Sequence, residues 1–185
     1  MKKILFLILA TASLTACHKA KNNPNVSFGI PYTQTAALPG VPGYNDGNII
    51  PGGGAPMPFT PVKVAINAPQ YFAQNRTASG KVISTYLNSM NVSITTPGNH
   101  YFDFLDYVEL YMSTPSQPEI LVAANYSIPY GIKSIDLIVT PGINLKNYIN
   151  NDSVTVRLNA YVNAVPAPGA QLLLTGKFQV TANPL

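Results

Sequence analysis

From Val62 onward the chain carries apolar residues at every second position. Val62, Val64 and Ile66 alternate with Lys63, Ala65 and Asn67, and Met90, Val92 and Ile94 alternate with Asn91, Ser93 and Thr95. Val108, Leu110 and Met112 alternate with Glu109 and Tyr111. Ile120, Val122, Ala124 and Tyr126 form the next series, followed by Ile135, Leu137 and Val139. Val154, Val156, Leu158, Ala160 and Val162 alternate with Thr155, Arg157, Asn159 and Tyr161. The last series is Leu172, Leu174, Phe178 and Val180, with Gly176 as a candidate bulge. A period of two is that of a strand with one buried face. These segments predict seven strands, with a weaker eighth over Val82 to Leu87. Turn residues separate them, as in Pro97-Gly98-Asn99, Pro129-Tyr130-Gly131 and Pro141-Gly142. One helical stretch is expected, Asn144 to Asn150, with Leu145, Tyr148 and Ile149 on one side. The sum is an all-β domain, an antiparallel β-sandwich of seven or eight strands, with a small barrel as the alternative.

Residues 18–61 have a different composition. Eight Pro and seven Gly fall in this stretch, so donors are missing and order is entropically costly. The expectation is a flexible, disordered tether, which makes residues 62–185 an independent folding unit. Gly52-Gly53-Gly54 lacks the following Gly-Lys-Ser/Thr of a phosphate loop.

The N-terminus has a third character. Met1-Lys2-Lys3 is cationic, and Ile4 to Ala10 is an apolar run far shorter than the roughly 20 residues of a spanning helix. It has the length of a signal-peptide core. The segment ends in Leu14-Thr15-Ala16-Cys17, which resembles the lipobox of bacterial lipoproteins. That resemblance implies cleavage after residue 16, diacylglycerol on the Cys17 thiol and usually an acyl group on its amine. Two or more acyl chains hold a protein stably on a membrane. The style of the later segments, Tyr101-Phe102-Asp103-Phe104-Leu105-Asp106 and the closing Ala182-Asn183-Pro184-Leu185, is similar to small immunoglobulin-like sandwich lipoproteins of the Bacteroidota. By analogy with lipoprotein sorting, His18 after the cysteine implies the outer membrane. The absence of an acid in His18-Lys19-Ala20-Lys21 favours its periplasmic leaflet over the cell surface.

Charge narrows the partners. The formal excess of four cations includes Lys2 and Lys3, so cleavage leaves two, and no basic face for nucleic acid is apparent. A single cysteine excludes a disulfide framework, and no cofactor or metal is expected. His100 follows a turn, without the base–nucleophile pairing that acyl transfer needs. Asp103 and Asp106 have a spacing that a Ca²⁺ loop uses, although the residues between them are aromatic and suit a turn whose aspartates accept backbone amides. Asp152-Ser153-Val154 resembles the O-glycosylation acceptor of Bacteroidota at Ser153; an Asx turn opening the next strand is the alternative. Tyr107, Glu109 and Tyr111 share the polar side of one strand, and this is the candidate binding face. Tyrosine with carboxylate suits stacking and hydrogen bonding to a sugar or peptide, while cross-strand stabilisation is the structural alternative. The expected function is therefore a lipid-anchored, non-catalytic binding or structural module engaging a protein or glycan. The alternatives are a carboxylate-based glycan hydrolase and a subunit of a larger envelope assembly.

Overall fold

The alternating segments become strands because each can bury one row of side chains and leave the other in water. A computed structural model describes residues 24–41, 43–45, 48–96, 98, 100–166 and 169–185. The signal segment, the lipobox and Cys17 lie outside these residues. Among the described residues ten strands run in chain order: β1 Val26–Ala37, β2 Ala55–Pro58, β3 Val62–Ala65, β4 Val82–Thr96, β5 Leu105–Thr114, β6 Gln117–Asn125, β7 Ser134–Asp136, β8 Ile138–Val139, β9 Ser153–Val162 and β10 Gln171–Ala182. Helix α1, Ala68–Gln74, follows β3, and helix α2, Lys146–Ile149, precedes β9.

Two antiparallel sheets enclose one core. The first has the order β1-β10-β4-β7. The second has the order β2-β9-β5-β6-β8, with β3 also paired to β9. β2 and β3 lie end to end along one edge of β9, opposite Asn159–Val162 and Ser153–Val156 respectively. Ile30, Met57, Leu110, Ile149, Val162, Phe178 and Val180 are fully buried between the layers. The all-β sandwich expected from the pattern is the fold.

The boundary of the folded unit differs from the expectation. β1 and β2 precede Val62, and β1 pairs with β10 over its whole length, from Val26 opposite Ala182 to Ala37 opposite Gln171. Phe28, Ile30 and Tyr32 point into the core. Alternation wins over composition here: Ser27, Gly29, Pro31 and Thr33 all fall on the outward side. Pro31 costs no ladder bond because β1 is an edge strand. Ile50, Met57 and Phe59 complete the buried row from this stretch. The span read as disordered tether therefore supplies two strands and part of the core.

Bulges account for two further departures. Val82–Leu87 and Met90–Thr96 are one 15-residue strand, not two. Leu87 and Met90 are three apart yet both are buried, which a regular strand forbids. Asn88 is the extra residue that resets the alternation, between partners Phe178↔Leu87 and Lys177↔Ser89. Gly176 lies beside this bulge and serves a different purpose. A Cβ on it would lie 2.8 Å from Met90 Cε and 2.9 Å from the Ser89 carbonyl oxygen, so glycine admits the Met90 side chain.

The second bulge is in β6. Leu110 pairs with Ala123 and Tyr111 with Leu121, leaving Val122 as the additional residue. Past this point Ala124 stands opposite Glu109, on the outward side. Tyr126 thus leaves the apolar series in which the sequence placed it.

Candidate binding face

The functional candidates lie on the outer side of the second sheet. Tyr107, Glu109 and Tyr111 alternate with buried Val108, Leu110 and Met112 on β5, as period two requires. The register with β9 sets Tyr107 opposite Tyr161, Glu109 opposite Asn159 and Tyr111 opposite Arg157. Two polar rows that the sequence showed separately become one surface. The β6 bulge adds Tyr126, whose ring centroid is 5.7 Å from that of Tyr107.

Glu109 is the centre of this surface. Its Oε2 accepts from Asn159 Nδ2 at 2.7 Å and from Tyr111 Oη at 3.0 Å. Its Oε1 accepts from Tyr126 Oη at 2.8 Å. Partial burial alone acts to raise the carboxyl, but the bonds from Asn159, Tyr126 and Tyr111 and the Arg157 charge outweigh it, and Glu109 titrates below the usual carboxylate range. The hydrogen bond to Glu109 holds the Tyr126 phenol above its ordinary value. Burial and the same carboxylate do so for Tyr111.

Aromatic rings extend the surface on both sides. Tyr107 and Tyr161 stack at 5.7 Å with 8° between their planes. Tyr161 Oη donates to the Gly54 carbonyl at 3.0 Å, which ties the linker before β2 to the sheet. Arg157 lies 4.5 Å over the Tyr111 ring and forms a two-pronged bond to Glu119, 2.8 Å from Nε and 2.6 Å from Nη2. That bond lowers the Glu119 carboxyl and raises the Arg157 guanidinium. The pair is solvent-facing, so its worth is at most about 1 kcal/mol. Its main effect is to fix Arg157 over Tyr111.

The other candidates are dispersed. Asp103 Oδ1 accepts from the Gly131 amide at 2.6 Å, and Asp106 Oδ1 accepts from Asn163 Nδ2 at 2.7 Å. Each aspartate thus has its own partner, while Phe102 and Phe104 are buried beneath. No group of three or more His, Cys, Asp or Glu among the described residues is placed to hold a metal ion. Ser153 is half-buried at the start of β9, opposite Ala65. His100 is half-buried just before Phe102–Phe104, a 3-10 turn. Among the described residues no helix is long and apolar enough to cross a membrane.

The sequence missed Tyr126, Asn159, Arg157 and Tyr161 as neighbours of Glu109. The β9 row was visible as a polar face, but its register against β5 was not. Tyr126 carried a misleading signal, because its parity before the bulge is that of the core.

No family model matches the chain, and no curated protein matches it. Among solved structures, one of infectious bursal disease virus, Gt strain, is similar over 97% of this chain and 38% of its own, at 14% identity and a TM-score of 0.32. A Gx strain structure of the same virus is similar over 85% of this chain and 41% of its own, at 14% identity and a TM-score of 0.24. The chain spans about two-fifths of the length of these viral chains. Likenesses of this degree carry no argument about function.

Proposed function

We propose that this chain is a cell-envelope lipoprotein, anchored through Cys17 in the periplasmic leaflet of the outer membrane, whose outer sheet face binds a glycan without catalysis. The observation that carries the binding reading is the continuity of Tyr107, Glu109, Tyr111, Tyr126, Arg157, Asn159 and Tyr161 across three strands. Tyr126 is 60% exposed, yet its hydroxyl is held by Glu109. A ring displayed to water in one fixed orientation loses little entropy when a sugar stacks on it. The Tyr111 and Tyr126 hydroxyls donate inward and keep acceptor capacity for sugar hydroxyls. The carboxylates favour binding over hydrolysis. Glu109 is committed to three donors and Glu119 to Arg157, so neither is presented as a free acid–base pair across a bond.

Two measurements test this reading. The full chain, purified in detergent, is applied to an array of neutral and acidic envelope glycans. Retention is expected, and Tyr126→Ala should weaken it about tenfold, the scale of a single aromatic anchor. Equal retention by wild type and variant on every glycan would remove the face from consideration. For the anchor, Cys17→Ser should abolish both the incorporation of labelled palmitate and the cleavage after residue 16; a variant that still takes up the label or is still cut there would overturn the lipid anchor.

A further inference from the structure

The strands at the margins of the two sheets are unequal. β7 has three residues, β8 two, and β2 and β3 four each, whereas β1 has twelve. Short margins are the usual protection against unwanted pairing. β1 pairs with β10 on one side, and no described strand pairs with its other side. The direction of its free groups follows from one bond. The Leu38 amide donates to the Ala170 carbonyl at 2.9 Å, continuing the β1–β10 register, so even-numbered residues aim their backbone at β10. The odd-numbered residues Ser27, Gly29, Thr33, Thr35 and Ala37 therefore turn N–H and C=O groups to the open side, where the Thr35 carbonyl accepts from Gln34 Nε2 at 2.7 Å, a side-chain bond that an incoming strand displaces. Pro31 shares that parity, and its missing donor splits the open edge in two. β1 carries no charged residue to repel an incoming strand.

A second observation lies beside the longer free half. A narrow cleft of about 20 Å³ opens between β1 and the facing β3 and β9. Tyr32, Ala36, Phe59, Val62, Leu158 and Leu174 are among its lining residues. Tyr32 is 3% exposed, and its hydroxyl has no hydrogen-bond partner among the described residues. Burial pushes its phenol further up, so it stays a neutral donor across the physiological range. A buried unmatched hydroxyl is costly and rare. The volume admits a group of one or two heavy atoms and excludes a large side chain.

We propose that the Thr33–Ala37 edge of β1 accepts an extended, uncharged strand of a partner polypeptide, which carries a serine or threonine over the cleft to pair with the Tyr32 hydroxyl. The open backbone groups require a strand, since only a strand matches their spacing. The missing charges and the apolar lining require an uncharged one, and the small volume sets the side chain. A second copy of the chain pairing through its own β1 fits less well. Its inward residues at this level, Phe28, Ile30 and Tyr32, are already committed to its own core. This edge belongs to the first sheet and is separate from the tyrosine face, so neither proposal depends on the other.

The probe is a synthetic uncharged nonapeptide, Thr-Ser-Val-Ser-Val-Ser-Val-Ser-Thr, with a second version in which alanine replaces every serine. Full-length protein is labelled and amide exchange is followed residue by residue. The serine peptide should slow exchange at Thr33 and Thr35 about tenfold or more, and leave the even-numbered amides of β1 unchanged. Thr33→Pro removes one outward donor and should abolish the effect, while Thr33→Ala should retain it. Tyr32→Phe should weaken the serine peptide about tenfold and bring it level with the alanine peptide. Should Thr33→Pro not fold, the Tyr32→Phe comparison decides alone. No slowing with either peptide overturns the proposal. So does slow exchange at Thr33 and Thr35 before any peptide is added, because a second copy or another segment of the same chain then already holds the edge. Sedimentation distinguishes those two.

Discussion

The outer faces of the two sheets obey the same alternation and carry different chemistry. On the first sheet, Ser93 stands opposite Leu173, Asn91 opposite Thr175 and Ser89 opposite Lys177, and β1 adds Ser27, Thr33 and Thr35. Small hydroxyls and amides dominate, and what they bond is mostly local: Ser93 Oγ reaches the Leu173 carbonyl at 3.5 Å and Asn91 Nδ2 reaches Asp136 at 2.8 Å. On the second sheet, tyrosines, carboxylates and an arginine are locked to one another across three strands. Both patterns satisfy a strand's need for a wet side. The first sheet has Ile83 and Tyr86 exposed on β4, whereas the second joins several rings, a carboxylate and an arginine into one bonded cluster, and such a cluster on a wet surface is the feature that stability alone does not require. The first sheet offers backbone at its edge, and the second offers side chains on its face.

The largest expected effect comes from removing the edge strands that precede Val62. A fragment of residues 62–185 lacks β1 and β2, so Phe178 and Val180 lose the covering of Phe28, Ile30 and Tyr32. Burial of each such side chain contributes about 1.5–3 kcal/mol. The three together approach the whole stability of a domain, about 5–15 kcal/mol. The fragment should melt without cooperativity by circular dichroism, and residues 24–185 should melt cooperatively. A cooperative fragment would mean that the first sheet stands without its longest margin.

Next in size is a charge placed inside against a side chain removed outside. Leu174 is 2% exposed, while Tyr111 lies on the outer face beneath Arg157. Leu174→Asp should cost several kcal/mol, since an unpaired buried carboxylate has no compensation, and should unfold the protein or nearly so. Tyr111→Ser should cost about 1 kcal/mol. Urea denaturation of both variants in the 24–185 chain measures the order. The reverse order would place Tyr111 in the core and withdraw the binding face.

What the sequence revealed follows from how local each signal is. The strand rows of β5, β9 and β10, their inward sides and the short helix α2 depend on period alone, and residues such as Val154, Val156 and Leu158 point as that period demands. β1 has the same signal in Phe28, Ile30 and Tyr32, but the density of proline and glycine over residues 18–61 obscures it. Helix α1 had a proline in its first turn, a favourable start, in a segment too short to show a full helical face. Tyr107, Glu109 and Tyr111 were legible as one row. Their joining to Arg157, Asn159 and Tyr161 depends on register, and the arrival of Tyr126 depends on the bulge at Val122. Register and bulges are set by contacts between distant segments, and no single strand contains them.

The smallest effect concerns the acid side of the pH range, and it separates the two faces by electrostatics alone. The folded Glu109 carboxyl titrates below its unfolded value of about 4.3. A depressed acid contributes stability that is fully present above the unfolded pKa and is lost as pH falls through the folded pKa. Glu119 is lowered as well and acts in the same direction. Glu109→Gln keeps the size of the side chain and removes the charge. At pH 7 the variant should be less stable than wild type by a modest amount, because Glu109 is only partly buried and solvent screens its bonds. From pH 7 down to and below the unfolded value of about 4.3 the difference should shrink, as wild-type Glu109 takes up a proton and comes to resemble the amide. The measurement is the urea midpoint of both proteins across that range. A difference that stays constant, or widens as the pH falls, would show that Glu109 acts through packing, and that its charge does not hold Tyr111, Tyr126 and Asn159 in place.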